Sequence, residues 1–377
     1  MTSARDPRAL TRELLRFNTI NPPGMERACA QHLGKLLEGA GFRCKYHEFA
    51  ESRTSLVAEI GGTADGKPPI CFTGHIDTVP LGAAKWTRDA FSGEADGDRL
   101  YGRGSTDMKS GIAAFVVAAI ALADRLQSGP GLVLVITAGE EIGCEGARYL
   151  ADHKLLGRAG AIVVAEPTGN YPYVGHKGLA WFELETRGVT AHGSMPEVGE
   201  NAILKMAKVI GALEQFHFAV EQHAVMGRPT MNVGTIHGGL NTNSVPDSTR
   251  VTLDTRTVPG IDHMHLCHSL EHLLGPHGAS VQKIVDVPPL YTEPADEWVQ
   301  QVFDECTPLL DGRPVPRTIT FSTDGADLKR GFGGPPAVIL GPGEPTLAHQ
   351  TDEWCSMGRI EQSAALFETL MRKWCGL

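Results

Sequence analysis

Acidic and imidazole side chains follow several predicted strands at the point where each strand ends. His75 and Asp77 close an apolar strand at 70–73 in the run Gly-His-Ile-Asp. The carboxyl ends of strands in an open α/β sheet form the edge where ligands usually bind. In a His-x-Asp pair, the carboxylate can fix the tautomer of an imidazole whose other nitrogen binds a metal. For an isolated pair, a hydrogen-bonded histidine in a turn is the better explanation.

Further carboxylates and a second histidine are expected at the same edge. Asp107 stands in a glycine-rich loop before a helix, where an aspartate ordinarily caps the helix. Glu140 and Glu141 close the strand 132–137, and adjacent carboxylates repel unless a cation or a shared proton compensates. Glu166 follows the apolar strand 161–165, and His349 follows another apolar strand. The paired glutamates favour a functional role over a structural one.

Taken together, these groups have the composition of a two-metal hydrolytic site. They supply carboxylate oxygens and imidazole nitrogens and no thiolate. Five of the groups can bind two metals, and a sixth can take a proton from a bridging water. The joint pattern is far more specific than any of its members. It does not by itself decide which groups bind metal and which one is the base.

The elements that must position this set predict an α/β fold in its first half. Helical periodicity alternates there with short apolar strands, which indicates a mixed, largely parallel sheet with helices on both faces. The predicted helices are 6–17, 25–40 and 109–126, and the predicted strands are 55–60, 70–73, 132–137 and 161–165.

The rhythm changes after residue 175. Strands at 180–186, 230–236, 249–255 and 281–285 alternate with helices at 201–218 and 261–274, in the order β-α-β-β-α-β of a ferredoxin-like unit. We therefore expect an inserted α+β lid domain at 175–285. The catalytic domain would comprise residues 1–174 and 286–377, with the last part completing its sheet.

Composition and charge exclude some partner classes. The chain has 377 residues, 34 basic and 44 acidic, for a net charge of -10, and no long basic run. Nucleic acid and membrane surfaces are therefore not expected partners. The eight cysteines form no CxxC pair, and the N-terminal segment has no apolar core of a signal peptide, so we expect a cytoplasmic protein. The apolar stretch 111–122 is too short to span a bilayer and predicts a buried helix.

The motifs in sequence order resemble a known family. They are Gly-His75-Ile-Asp77, Arg-Gly-Ser-Thr-Asp107-Met-Lys, Glu140-Glu141-Ile-Gly, Glu166-Pro-Thr and Ala-His349-Gln-Thr-Asp-Glu353. This series resembles the zinc peptidases and amidohydrolases that include acetylornithine deacetylase, succinyl-diaminopimelate desuccinylase, aminoacylase and carboxypeptidase G. The likeness covers nearly the whole chain.

The resemblance implies a role for each of these side chains. Asp107 would bridge two zinc ions, for which cobalt can substitute. His75 and Glu166 would hold one ion, and Glu141 and His349 would hold the other. Glu140 would be the general base, and Asp77 would orient His75.

Three residues of the insert also match the family's pattern. His192 resembles the lid histidine that, in dimeric relatives, reaches across to polarise the scissile carbonyl. Asn243 falls in the lid loop, and Arg256 matches the arginine that pairs with a substrate carboxylate. Each has a simpler explanation: His192 as a surface turn residue, Asn243 as a turn cap, and Arg256 as a partner of Asp254 or of solvent.

The resemblance implies hydrolysis of the amide bond of a small N-acyl amino acid by a homodimer joined through the lid. Acetylornithine deacetylase is the subfamily most similar, but the segment 322–327 departs from its pattern, which leaves the substrate open. A dipeptidase, a carboxypeptidase and a succinyl-diaminopimelate desuccinylase are alternatives on the same scaffold. A non-catalytic, metal-stabilised binding protein is an alternative of another class, and Glu140 argues against it, since a structural metal site needs no base.

Overall fold

The protein consists of two compact units. The computed structural model describes residues 3–62 and 66–377. The first unit combines the described residues up to 175 with 290–319 and 323–377, and the second contains 176–289 and 320–322. The second unit is therefore an insertion in the sequence of the first. It extends four residues beyond the expected end at 285 and includes a short segment near residue 321.

The regular elements alternate along the chain. The helices are α1 (Pro7–Leu15), α2 (Arg27–Gly39), α3 (Ser110–Leu126), α4 (Glu145–Asp152), α5 (Ala202–Leu213), α6 (His263–Leu274), α7 (Glu297–Cys306), α8 (Gly325–Gly331) and α9 (Met357–Cys375). The strands are β1 (Arg43–Ala50), β2 (Arg53–Ile60), β3 (Ile70–His75), β4 (Ala95–Asp96), β5 (Arg99–Tyr101), β6 (Leu132–Thr137), β7 (Ala161–Val164), β8 (Gly175–His176), β9 (Gly178–Arg187), β10 (Thr230–Gly238), β11 (Ser248–Thr257), β12 (Ala279–Val287), β13 (Leu290–Tyr291), β14 (Ala337–Ile339) and β15 (Trp354–Ser356).

A six-stranded sheet forms the core of the first unit, in the order β1-β2-β6-β3-β7-β14. The four strands from β6 to β14 are parallel, and β1 and β2 are antiparallel additions at one side. Every residue of β3 and β6 is buried, as expected for strands covered on both faces. In their register His75 lies opposite Thr137, so the two strands end together. The predicted mixed, largely parallel α/β fold is confirmed.

The apolar helix α3 lies inside this unit. Thirteen of its 17 residues are buried, and it packs against α1 and α9. The helical stretch Ser105–Leu126 is long and apolar enough to cross a membrane, yet 83% of its most apolar window is buried inside the fold. This packing explains the apolar composition of α3, and the prediction of a buried helix is confirmed.

The second unit is built on a four-stranded antiparallel sheet in the order β10-β11-β9-β12. Burial alternates along β9 and β11, which is typical of a sheet with one covered face. The covered face packs with residues of α5 and α6 around Phe182, Met206, Leu253 and Leu270. The element order is the expected β-α-β-β-α-β.

One local expectation was wrong, and one strand of the central sheet was missed. The helix predicted at 201–218 ends at Leu213, and the residues after it pack Phe216 and Phe218 on the core in a T-shaped pair with centroids 5.1 Å apart. Strand β1 was not predicted, because none of its residues is fully buried and its apolar signal is weak. The early end of the helix arises where tertiary packing outweighs local pattern.

Candidate active site

His75 ends β3 with its imidazole almost completely buried. Its Nδ1 lies 3.0 Å from the main-chain oxygen of Asp77 and 3.5 Å from the Asp77 carboxylate. A proton on Nδ1 satisfies these acceptors and leaves the lone pair on Nε2. Burial disfavours the charged imidazole, but the carboxylates of Glu166 and Asp107 outweigh it and raise the pKa of His75 well above its ordinary value.

Asp77 is fully buried and organises the neighbouring strand end. Its carboxylate accepts hydrogen bonds from Asn21 Nδ2 at 2.8 Å and from the backbone N–H groups of Glu140 and Glu141 at 3.1 and 3.2 Å. Burial would raise the pKa of Asp77, but hydrogen bonds from His75, Asn21 and the Glu140 backbone lower it. Asp77 is therefore an ionised anchor that joins the end of β3 to the turn after β6.

Asp107 divides its two carboxylate oxygens between the two histidines. Oδ1 lies 3.1 Å from His75 Nε2, and Oδ2 lies 3.4 Å from His349 Nε2. Both histidines lower the pKa of Asp107 well below its ordinary value, although burial opposes them. The simpler role as a helix cap is not observed, because α3 begins after Lys109 with no side-chain cap.

His349 lies beside Oδ2 of Asp107, in the loop before β15. Its Nε2 is 3.1 Å from Glu141 Oε2, and its imidazole is half exposed. Hydrogen bonds to Asp107 and Glu141 raise the pKa of His349 to about 10. Burial and the charge of Asp107 raise the pKa of Glu141.

Glu166 and Glu140 complete the cluster around His75. Glu166 follows β7, with Oε1 3.8 Å from His75 Nε2, and Glu140 places Oε2 4.0 Å from the same nitrogen. Burial raises the pKa of both glutamates well above the ordinary value, and neighbouring carboxylates add to the effect while His75 opposes it. Since carboxylates this close repel one another, the cluster favours a positive charge in its centre.

The donor set fits divalent metal ions. His75, Asp107 and Glu141 each offer one ligand atom, and these atoms lie within 4.8 Å of one another. Within the described residues, the buried Oε1 of Glu141 has no hydrogen-bond partner. Carboxylate oxygens with imidazole nitrogens are ligands that zinc accepts in hydrolytic sites. The structure thus brings together all the predicted residues of the first unit.

Two residues that the sequence reasoning missed support this centre. Asn21 precedes a pair of prolines and donates to Asp77, and no spacing signal marks it. Asp324, in the segment that departs from the family pattern, is buried against the Thr137 hydroxyl. Burial raises the pKa of Asp324 to about 7, and its carboxyl in turn raises the pKa of Glu140. The departure at 322–327 could have drawn attention to Asp324.

The three candidate residues of the insert lie within the second unit. His192 is exposed, and its Nδ1 is 2.7 Å from the Ser194 hydroxyl. The next residue, Gly193, donates its N–H to the Asn243 carbonyl at 2.7 Å, so the loops of His192 and Asn243 adjoin. Arg256 forms two hydrogen bonds to the Asp254 carboxylate, at 2.8 and 3.1 Å, which is the simpler alternative named for it.

Comparisons with known proteins identify the class to which this fold and site belong. The model of Peptidase family M20/M25/M40 matches residues 71–373, and the chain belongs to this family. The acetylornithine deacetylase of Myxococcus xanthus is 30% identical over 388 residues, which cover 98% of this chain and 97% of that protein. A probable succinyl-diaminopimelate desuccinylase of Staphylococcus aureus is 28% identical over 353 residues, 85% of this chain and 87% of its own.

Solved structures show the same fold. A metallo-carboxypeptidase from Sulfolobus solfataricus matches with a TM-score of 0.79 at 20% identity, covering 97% of this chain and 98% of that one. A protein from Bacillus subtilis, described as a dinuclear metal-binding peptidase, matches with a TM-score of 0.70 at 16% identity, covering 96% and 95%. The predicted family, the α/β fold and the prediction of a hydrolytic enzyme are confirmed.

Proposed function

We propose that this protein hydrolyses the amide bond of a small N-acyl amino acid at a centre of two zinc ions. The observation that carries the proposal is the geometry of Asp107, whose two oxygens face His75 and His349 separately. A bridging carboxylate needs this division. Glu166 lies on the His75 side and Glu141 on the His349 side, so each half has one imidazole and one further carboxylate.

The five side chains named for coordination would hold the ions as two sets that share Asp107. When bound, the ions supply Lewis acidity, which lowers the pKa of a water and polarises the substrate carbonyl. Asp77 supports this centre by fixing the tautomer of His75, so that Nε2 faces the cluster. Cobalt would take the place of zinc at the same donor types.

Glu140 is the proposed general base. Its carboxylate lies at the cluster and accepts from the Cys144 thiol at 3.7 Å, while the backbone N–H of Glu140 donates to Asp77. Burial and the neighbouring carboxylates raise the pKa of Glu140 in the metal-free protein, and cations bound at the cluster would oppose this shift and favour the ionised base. Glu140 would accept the proton of the attacking water and then give it to the leaving amine.

The substrate proposal rests on the names of the relatives and on the insert. The two relatives above act, by name, on acetylornithine and succinyl-diaminopimelate, which are both N-acyl amino acids. Arg256 would exchange its bidentate pairing with Asp254 for a substrate carboxylate, a planar acceptor of the same geometry. His192 would polarise the scissile carbonyl, and Asn243 would contact the substrate from the adjoining loop. Dipeptidase and carboxypeptidase activities remain alternatives on this scaffold.

We further propose a cytoplasmic homodimer joined through the inserted unit, which would act as a lid. Strand β10 lies at an edge of its sheet, and Ile236 and Leu204 of this unit are exposed. All eight cysteines lie in the described part of the chain and are free, which suits a reducing compartment. Mixing inactive His192→Ala and Glu140→Ala variants should restore part of the activity if His192 acts in the partner's site. No recovery after confirmed subunit exchange would contradict that arrangement.

The test of the function is a substrate panel on metal-free protein reloaded with zinc or cobalt. Acetyl, succinyl and formyl derivatives of several amino acids are assayed beside dipeptides at equal concentration. We expect N-acyl amino acids to be hydrolysed with the highest kcat/KM, and hydrolysis to disappear with chelator. If only dipeptides were hydrolysed, the protein would be a peptidase and the proposed deacylase function would be wrong.

A further inference from the structure

A buried ion pair lies directly behind the proposed metal ligands. The guanidinium of Arg103 donates from Nη1 to Glu353 Oε2 at 2.6 Å, and both side chains are at most 1% exposed. Neither residue faces the cluster as a candidate ligand. Burying such a pair costs several kcal/mol per ion before any attraction is counted, and apolar replacements are often equally stable. A role beyond stability therefore has to be sought in what the pair contacts.

Glu353 is enclosed by the turn that ends at Asp107. Besides Arg103, its carboxylate accepts the backbone N–H groups of Gly104 at 3.1 Å, Thr106 at 2.8 Å and Asp107 at 3.1 Å. Four donors thus occupy both of its oxygens. The conformation of the main chain at Asp107 is set by a side chain that lies four residues after His349.

Arg103 reaches the other two segments of the site. Its Nη2 donates to the Pro80 carbonyl at 3.2 Å and to the His349 carbonyl at 3.5 Å. Pro80 lies three residues after Asp77, in the loop that follows the first histidine. The guanidinium also stacks on the Trp86 ring, with 5.2 Å from its carbon to the ring centroid. One side chain therefore contacts the loops that carry Asp77, Asp107 and His349.

We propose that Arg103 and Glu353 are positioning residues that hold Asp107 and His349 at the separation required to share a metal ion. The inference rests on the proposed metal centre, because it concerns the geometry of those ligands. Partners of this kind, which orient ligands from behind, typically change metal affinity 10–100-fold when they are replaced.

Two variants probe the pair from its two ends. In Glu353→Gln, the new NH2 group faces N–H donors in either orientation of the amide. At least one backbone N–H of the turn that ends at Asp107 therefore loses its acceptor. In Arg103→Lys, the positive charge stays beside Glu353, but one ammonium cannot reproduce the planar fork that reaches Pro80 and His349. The control is Leu37→Ala, a truncation of a fully buried side chain in α2, which packs on β1 and β2; it removes stability at a distance from Asp107 and His349 in the sequence.

The measurement is zinc affinity by competition with a chromophoric chelator, together with denaturant unfolding of the metal-free proteins. We expect at least about tenfold weaker zinc binding in Glu353→Gln and in Arg103→Lys. Leu37→Ala should keep its affinity within about threefold despite an equal or larger loss of stability. The visible absorption of cobalt-loaded Arg103→Lys should also differ from that of the parent, which a loss of stability alone would not produce.

Two outcomes would overturn the inference in different ways. Variants that lose stability while keeping parental zinc affinity and an unchanged cobalt spectrum would reduce the pair to a structural ion pair and leave the proposed function intact. Failure of the unsubstituted protein to bind zinc would contradict the metal centre itself. Should Glu353→Gln fail to fold, Arg103→Lys carries the same test with the buried charge retained.

Discussion

Replacing Asp77 by asparagine should weaken both the fold and the metal centre. Oδ1 accepts the Glu140 N–H, and Oδ2 accepts Asn21 Nδ2 and the Glu141 N–H. If the new NH2 takes the place of Oδ1, one buried donor loses its acceptor, and two lose it in the other orientation. An unsatisfied buried donor costs about 1–3 kcal/mol, so the better orientation predicts a loss of about 1–3 kcal/mol in the free energy of unfolding.

Asp77→Asn should also weaken metal binding. The Asp77 carboxylate lies 3.5 Å from His75 Nδ1 and accepts the backbone N–H groups of both glutamates. The main-chain oxygen of Asp77, 3.0 Å from the same nitrogen, stays in place in the variant. Loss of a carboxylate that orients a histidine ligand typically lowers metal affinity 10–100-fold, or about 1.4–2.7 kcal/mol. Denaturant unfolding and chelator competition measure the two quantities. Asp262→Asn, at the N-cap of α6 where both residues cap well, is the matched control. The reasoning would be refuted if Asp77→Asn had a free energy of unfolding within about 0.5 kcal/mol of the parent value and an unchanged zinc affinity.

Three further predictions concern the charges at the cluster. Glu140→Ala should retain metal and lose about 10²–10⁴-fold in kcat, whereas Glu141→Ala should lose metal at one site; equal metal content by elemental analysis would overturn this ordering. The pKa of His349 is raised to about 10 in the metal-free protein, so zinc binding at pH 7 should release its proton and should weaken as the pH falls. Calorimetry in two buffers measures this proton release, and its absence would contradict the prediction. Asp324 has a pKa of about 7 in the fold against 3.8 without it, so its neutral form is favoured and its ionisation reduces stability as the pH rises from about 4 to 7. Metal-free Asp324→Asn should show a flatter loss over that range, and parallel stability profiles would argue against a buried neutral Asp324.

Much of the cluster could be predicted from sequence because four of its members lie at strand ends. His75 ends β3, Glu140 and Glu141 follow β6, and Glu166 follows β7. Apolar runs of fixed length identify such strands, and parallel pairing places their carboxyl ends side by side. His349 is delivered by a loop, and the resemblance to a known family was needed to assign its partner.

The supporting residues could not be predicted in the same way. Asn21, Arg103 and Asp324 act through contacts between segments far apart in sequence, such as Arg103 with Glu353. No periodicity relates these positions. The preference of Arg256 for Asp254 likewise depends on side-chain geometry within one strand, and the sequence left it as an alternative.

The most direct test of the account is a zinc titration of metal-free protein with hydrolysis of an N-acetyl amino acid as the readout. Bound zinc is quantified in the same samples. We predict no hydrolysis in the metal-free protein, with the rate rising as zinc binds and reaching its plateau at two ions per chain. Hydrolysis at the full rate in chelated, metal-free protein, or full metal loading without turnover of any N-acyl amino acid or dipeptide, would contradict the proposed metal-dependent amide hydrolase.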